Sequence, residues 1–227
     1  MILKFFRLES EIELSQLWVS VLEVQNRTLF TRIVESLVSG KGDDAGEPYG
    51  LWDEKGKVVS ASKSITVVSS LPEVPVYSKS MLGKLYKRIA AEYVQNSELE
   101  AAVETLMKSL SNMSGRISSE LWGAYAFGVN LELPVLIKAL ALQPARDGGV
   151  SLFDKLIQFF KLCVDIGQST PIVFVNLKSF LSQEELKTLY EQAFFYGQSL
   201  LLLESWHDVT RFPEERKTRI DQCLLEF

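Results

Sequence analysis

Residues 171–204, PIVFVNLKSFLSQEELKTLYEQAFFYGQSLLLLE, decide the fold of this chain. Ile172-Val173-Phe174-Val175 is a short apolar run rich in β-branched residues and bounded by Pro171 and Asn176, the pattern of a strand buried on both faces. A loop over 176–181 follows, and Ser182 then stands three residues before Glu185, the spacing of a capping box. Leu186, Leu189, Tyr190, Ala193 and Phe194 recur at helical spacing until Gly197, which offers a left-handed stop. Leu200 to Glu204 is a second buried run. The unit reads strand, crossover helix, strand, and such a connection makes the two strands parallel.

Working outward, Ser151 and Asp154 restart a helix through Leu152, Leu156, Phe159, Phe160 and Cys163 that ends at Gly167 and feeds the first of these strands. Toward the N-terminus, Ile2–Phe6 and Glu11–Leu14 alternate around Glu9-Ser10, an expected hairpin at a sheet edge. Trp18–Val24 reads as a strand, and Asn26 can cap a helix carrying Leu29, Phe30, Ile33, Val34 and Leu37. Lys41–Gly50 reads as a loop, Leu51–Val59 as two short strands about an exposed turn, and Ser64–Ser69 as a further strand.

At Leu71-Pro72-Glu73-Val74-Pro75 the periodicity changes from strand to helix, which sets a first domain boundary. Lys79–Leu142 is expected to be helical, with breaks at Asn96-Ser97, Ser114-Gly115 and Gly128. Met81, Leu82, Leu85, Ile89 and Tyr93 share one face of the first helix; Ser97 with Glu100 caps a second that carries Leu99, Val103, Leu106 and Leu110. Ile117–Phe127 and Pro134–Leu142 add further pieces, and Gln143–Gly149 is the second boundary. The expected fold class is therefore α/β: a mostly parallel sheet in a discontinuous domain, residues 1–71 and 150–227, interrupted by an inserted α-helical domain over 72–149.

The chain has 227 residues, 47% of them hydrophobic and 23% charged, which suits a globular protein with one substantial core and a smaller second lobe. No apolar run approaches the roughly 18–20 residues of a membrane span. Met1–Arg7 is broken by charge too early for a signal peptide, so a cytoplasmic location is expected. Two cysteines, Cys163 and Cys223, form no Cys-x-x-Cys pair and read as reduced core thiols. A single histidine, His207, excludes sites built on several histidines. Ser205-Trp206-His207-Asp208 holds the residue types of a nucleophilic triad, but neighbours in sequence rarely supply that geometry, and the stretch reads as the loop after a strand.

A strand-to-helix turn such as Gln25-Asn26-Arg27-Thr28 is where a nucleotide-binding protein would cradle phosphate. The topology resembles that of P-loop ATPases, but these bulky residues replace the glycines and lysine that the cradle needs. Leu200–Glu204 has the look of an acidic ATPase strand, and without the phosphate loop it reads as a core strand ending in a charge.

Charge is distributed unevenly. Between Lys55 and Ala91 there are seven basic residues, Lys55, Lys57, Lys63, Lys79, Lys84, Lys87 and Arg88, against the single acid Glu73, in a chain whose total is −5. Lys84, Lys87 and Arg88 share a helix face through their spacing. Two readings of this stripe stand side by side: a solvated face, or a surface for phosphate. Aromatic and basic residues do not interleave and no recognition-helix or finger motif occurs, so any nucleic-acid contact should be to the backbone and independent of sequence.

Met1-Ile-Leu-Lys-Phe-Phe-Arg-Leu-Glu-Ser-Glu-Ile-Glu-Leu, Leu51-Trp-Asp-Glu-Lys-Gly-Lys, Ile172-Val-Phe-Val-Asn-Leu-Lys-Ser-Phe-Leu-Ser-Gln-Glu-Glu-Leu, Leu200-Leu-Leu-Leu-Glu and the Arg211-Phe212-Pro213 turn resemble, in order and spacing, the type II-A CRISPR-associated adaptation proteins, the Csn-two family. The resemblance implies a homotetrameric ring of α/β heads, similar to P-loop ATPases but without nucleotide binding, and helical legs. Such a ring encircles double-stranded DNA at free ends during spacer acquisition in the bacterial cytoplasm, without enzyme activity. It implies partnership with other CRISPR adaptation proteins and the RNA-guided nuclease, and it favours the DNA-binding reading of Lys55, Lys57, Lys63, Lys79, Lys84, Lys87 and Arg88. A nucleotide-regulated switch and a protein-only scaffold are the alternative readings.

Members of the family can hold calcium in a dense carboxylate stretch between leg and head. The matching stretch here, Ala124–Leu133, departs from that pattern: Glu120, Asn130 and Glu132 are the nearest oxygen donors, few for an ion that takes six to eight. No cofactor is expected otherwise.

Overall fold

The computed structural model describes residues 1–93, 96–123 and 151–227. The chain divides into two compact units, Met1–Val76 with Arg146–Phe227, and Tyr77–Ala145.

The first unit is built on a five-stranded sheet in which every neighbouring pair is parallel. Its strands are β3 (Val19–Val24), β5 (Thr66–Val68), β6 (Ile172–Val175), β7 (Leu200–Glu204) and β8 (Glu215–Ile220), in the order β5-β6-β7-β3-β8. A separate antiparallel sheet, β2-β1-β4, is made by β1 (Ile2–Phe5), β2 (Glu11–Glu13) and β4 (Tyr49–Trp52).

The organising unit forms as its sequence dictates. β6 and β7 are buried at every position and pair in parallel from Ile172 with Leu200 to Val175 with Leu203. The helix between them, Gln183–Phe195, starts at Ser182, whose hydroxyl accepts the Glu185 amide while the Glu185 carboxylate accepts the Ser182 amide. It stops where Gly197 takes φ +63, letting the Gln198 amide donate back to the Ala193 carbonyl.

The sheet is buried on both faces, which explains the absence of alternation in β3, β6 and β7. On one face Leu22, Val24, Val173, Val175, Leu201 and Leu203 pack with the helix Arg27–Ser39 (α1) and with Leu3, Phe5, Ile12, Tyr49 and Leu51 of the antiparallel sheet. On the other, Phe174 meets Phe160 at a ring separation of 6.3 Å. Phe160 lies on the helix Leu152–Asp165, capped by Ser151 and followed by Gly167 at φ +65. Each large apolar side chain removed from water in this way contributes about 1.5–3 kcal/mol.

Several expectations need correction. Leu51–Val59 is not two strands: β4 pairs with β1, and the return is a single bridge between Trp52 and Val58. Gly50 is needed here, since a Cβ would lie 2.5 Å from the Trp52 indole. Ala61–Ser64 forms one helical turn (α2) ahead of β5. Cys163 is buried as expected, but Cys223 is exposed and is no core thiol, because it sits in the turn between β8 and the Ile220–Glu226 bridge.

In the second unit, α3 (Lys79–Tyr93) and α4 (Ser97–Ser119) follow one another and touch. Asn96 rather than Ser97 begins α4, its side-chain oxygen accepting the Glu98 amide at 3.1 Å. The break expected at Ser114-Gly115 is absent. Glycine inside a helix costs only about 1 kcal/mol, and Ser114 returns its hydroxyl to the Leu110 carbonyl within the helix. Ile117 accordingly belongs to α4 and starts no new helix. The Gly128 break, the helix from Pro134 and the boundary at Gln143–Gly149 lie outside the described residues. In chain order the helices Leu152–Asp165 and Gln183–Phe195 are α5 and α6.

Candidate functional site

Open parallel sheets take ligands at the C-terminal ends of their strands. Here that edge holds charge of its own. Glu23 ends β3 and Glu204 ends β7; they are register partners on adjacent strands, and both are fully buried. β8 adds Glu215, Lys217 and Arg219 at alternating positions, the turn after β6 adds Lys178, and the segment after β7 adds Asp208. Tyr190 of α6 donates to Glu215 Oε1 at 2.6 Å.

The pairing is dense. Lys178 Nζ lies 3.0 Å from Asp208 Oδ2 and 2.7 Å from Glu215 Oε1, with its side chain 1% exposed and the Phe212 ring 5.6 Å away. Lys217 Nζ is 3.3 Å from both Glu23 Oε1 and Glu215 Oε2 and also donates to the Asp208 and Thr210 carbonyls. Arg219 Nε donates to Glu23 Oε2 at 2.9 Å.

These contacts set protonation. Burial works against the charge of Lys178, yet Glu215 and Asp208 outweigh it and hold its pKa above the ordinary lysine value. Burial likewise opposes the charge of Asp208, but the Thr210 amide and Lys178 bring its carboxyl below the usual range. Tyr190 is pushed up by burial and by the neighbouring carboxylates. Glu204 is raised to about 7, chiefly by burial.

Chemically the arrangement is a closed brace. Lys178 has no face open to a substrate, and its carboxylate partners already hold cations. The β3–α1 junction is equally occupied. Asn26 accepts the Leu29 amide at 3.0 Å, its side-chain amide donates to the Gln222 carbonyl, and Gln25 binds the Ile220 carbonyl through its own amide. Nor does Ser205-Trp206-His207-Asp208 form a triad. His207 Nε2 lies 3.3 Å from the Ile220 carbonyl and its ring stacks edge-on with Phe227, while Asp208 holds Lys178.

With this geometry in view, residues 43–217 match the family model described as CRISPR-associated protein Csn2. The chain belongs to the Csn2 family. A role in CRISPR adaptation goes with that membership. Among solved structures the fold is similar to the crystal structure of Stu0660 of Streptococcus thermophilus, with a TM-score of 0.62 and 17% identity, over 96% of this chain and 74% of that one. No curated protein sequence matches the chain.

The basic residues singled out above lie in both units of this Csn2 chain. Lys55 and Lys57 flank Gly56 on the turn after β4, where Asp53 Oδ1 accepts both of their backbone amides at 2.9 Å and leaves the side chains exposed. Lys63 is exposed on α2. Lys79, Lys84, Lys87 and Arg88 are exposed on α3, with Lys84, Lys87 and Arg88 on one face and Arg88 2.8 Å from Glu92 one turn on. α3 brings these three together; Lys55, Lys57 and Lys63 belong to the first unit.

Of the three oxygen donors considered for calcium, Glu120 is exposed just after α4, and Asn130 and Glu132 lie outside the described residues. Among the described residues no group of three or more His, Cys, Asp or Glu is placed to hold a metal ion. The charge cluster itself went unread in the sequence. Its signal was the alternation Glu215, Lys217, Arg219 beside two buried strands that each carry a glutamate, Glu23 and Glu204.

Proposed function

We propose that this Csn2 protein binds double-stranded DNA at free ends, without regard to sequence and without catalysis, as a homotetrameric ring acting in spacer acquisition. In this reading the first unit is the head, a P-loop-ATPase-like domain without its phosphate loop over 1–71 and 150–227, and the helical unit over 72–149 is the leg. The observation that carries it is the exposed cation stripe of Lys84, Lys87 and Arg88 on α3, within a segment of net +6 in an acidic chain. Phosphates are the ligand such a surface suits, and four copies around a hole would concentrate it while an acidic exterior discourages indiscriminate binding.

The remaining partners are those of the family resemblance: other adaptation proteins and the RNA-guided nuclease, in the bacterial cytoplasm. Among the described residues no helix is long and apolar enough to cross a membrane. Calcium is left out of the proposal, because its expected ligand stretch is so poor in carboxylates. A nucleotide-regulated switch is disfavoured by Asn26, which occupies the α1 terminus with its own side chain. A protein-only scaffold would leave the exposed cations without a role.

Light scattering coupled to size-exclusion chromatography, with and without a linear duplex, tests the reading. A tetramer that takes up linear duplex, and loses it when both ends carry bulky blocks, is the expected result. A monomer, or a tetramer indifferent to duplex at low salt, would sink it. An ATP-dependent rise in melting temperature would favour the switch, since a ligand that binds only the native state raises it.

A further inference from the structure

The buried cluster does not balance. Its carboxylates are Glu23, Glu204, Asp208 and Glu215, and its cations are Lys178, Lys217 and Arg219. Each cation lies within ion-pair distance of Glu23, Asp208 or Glu215. Glu204 meets none of them at that distance. Its Oε1 accepts the Lys178 backbone amide at 3.1 Å, and its Oε2 is buried without a hydrogen-bond partner. Beside it on the neighbouring strand stands Glu23, like-charged and equally buried.

We infer that Glu204 is a proton-binding site, and that its proton controls how firmly segment 205–214 is held against the C-terminal edge of the sheet. An ionised carboxylate with one unpartnered buried oxygen is costly, and it is costlier next to three other carboxylates that share only three cations. Protonation removes the surplus charge and leaves the Lys178 amide bond to Oε1 in place. Every element around Glu204 contributes to this field: Glu23 from β3, Lys178 from the turn after β6, Tyr190 from α6, Asp208 from the segment itself, and Glu215, Lys217 and Arg219 from β8.

The segment is what the cluster pins. Its contacts are Ser205 N–H to Asn176 Oδ1, Asp208 N–H to Glu23 Oε1, the Asp208 side chain to Lys178, the Asp208 carbonyl to Lys217 and Arg219, and the Thr210 carbonyl to Lys217. Nearly all of these run through groups that feel the charge of Glu204. Opening the segment lets water reach the carboxyl, so the open form takes an ordinary carboxylate affinity while the closed form keeps the raised one of about 7. The closed form is therefore fully favoured below about pH 4.5, loses ground as pH rises from there to about 7, and changes no further above it.

Hydrogen exchange of the Ser205, Asp208 and Thr210 amides, corrected for intrinsic base catalysis and followed from pH 5 to 8, tests this. The expected protection falls about 100-fold between pH 5 and 7 and is level above, the tenfold per pH unit of one linked proton. In Glu204→Gln, which mimics the protonated carboxyl, protection is high and flat. His207→Gln separates the other titratable group of the segment and should keep the wild-type profile. Carbon-13 NMR of glutamate-labelled protein supplies a readout independent of any variant: one carboxyl, absent from the Glu204→Gln spectrum, titrates near neutrality. Protection that is flat in the wild type, a profile that survives Glu204→Gln, or a Glu204 carboxyl titrating in the ordinary range would each overturn the inference.

Discussion

Lys178 and Lys87 carry the same ammonium group into opposite surroundings. The first has a side chain 1% exposed, held between Asp208 and Glu215 under the Phe212 ring. The second points from an exposed position of α3, one turn from Lys84 and beside Arg88. Taking charge out of water costs several kcal/mol per ion, so an interior cation persists only with its carboxylates, while a surface one keeps its hydration until a ligand replaces it. Position in the fold, rather than residue type, separates the cations that hold the first unit together from those that are available to a partner.

The comparison breaks most sharply at Lys178. Lys178→Met preserves most of the apolar stem and leaves Asp208 and Glu215 buried without their cation. The expected cost is about 3–5 kcal/mol, the usual penalty for stranding one side of a buried pair. Denaturant unfolding at neutral pH measures it. A loss of less than about 1 kcal/mol would mean that water already reaches the cluster.

The next effect is smaller and depends on pH. Glu204 is raised from its ordinary 4.5 to about 7, so its contribution to stability is fully present below pH 4.5, is lost as pH rises through 7, and is constant beyond. Over that window the wild type should lose about 2–3 kcal/mol through this group, at 1.36 kcal/mol per pKa unit. Unfolding curves of wild type and Glu204→Gln at pH 5 and pH 8 give the difference. The variant should match the wild type at the lower pH and exceed it at the higher one. Equal stabilities at both would show that the surplus negative charge is relieved elsewhere.

Reading the sequence recovered one side of this contrast and missed the other, for a physical reason. Strand periods, the Ser182–Glu185 box and the stops at Gly167 and Gly197 are local, so a window of a few residues contains them. The run of α4 through Gly115 was less legible, because one glycine is a weak signal against twenty-two other residues that favour the helix. The cluster was illegible. Arg219 and Glu23 are 196 residues apart, and Lys178 and Asp208 are 30 apart; only the strand order β7-β3-β8 brings them together. The exposed basic stripe was visible because helical spacing alone places three cations on one face.

A milder perturbation falls on the local side. Ser182→Ala removes the hydroxyl that accepts the Glu185 amide at 3.2 Å and leaves the buried face of α6, Leu186, Leu189, Tyr190 and Ala193, untouched. The expected loss is about 1 kcal/mol, in line with other N-cap deletions. It should be the same at pH 5 and pH 8, which distinguishes it from the Glu204 effect. Thermal unfolding at the two pH values checks both points, and a loss above about 2 kcal/mol would indicate that the cap also supports the neighbouring brace.

The smallest expected effect on stability belongs to the exposed cations, and there the comparison is sharpest. Replacing Lys84, Lys87 and Arg88 together by glutamine keeps side chains that favour helix and removes three charges from one face of α3. One exposed ion pair, Arg88 with Glu92, is lost with them, and pairs of that kind contribute little. Stability should therefore stay within about 0.5 kcal/mol of wild type. Under the proposed function the binding of linear duplex should weaken, and the slope of log affinity against log salt should flatten by about one unit for each phosphate contact removed. Duplex sequence should hardly matter. The same three substitutions thus separate the two roles of positive charge: an interior cation governs unfolding and leaves the salt slope alone, and a surface cation does the reverse. If the triple variant binds duplex with wild-type affinity and an unchanged slope, the α3 stripe is a solvated face and the DNA contacts lie on other residues.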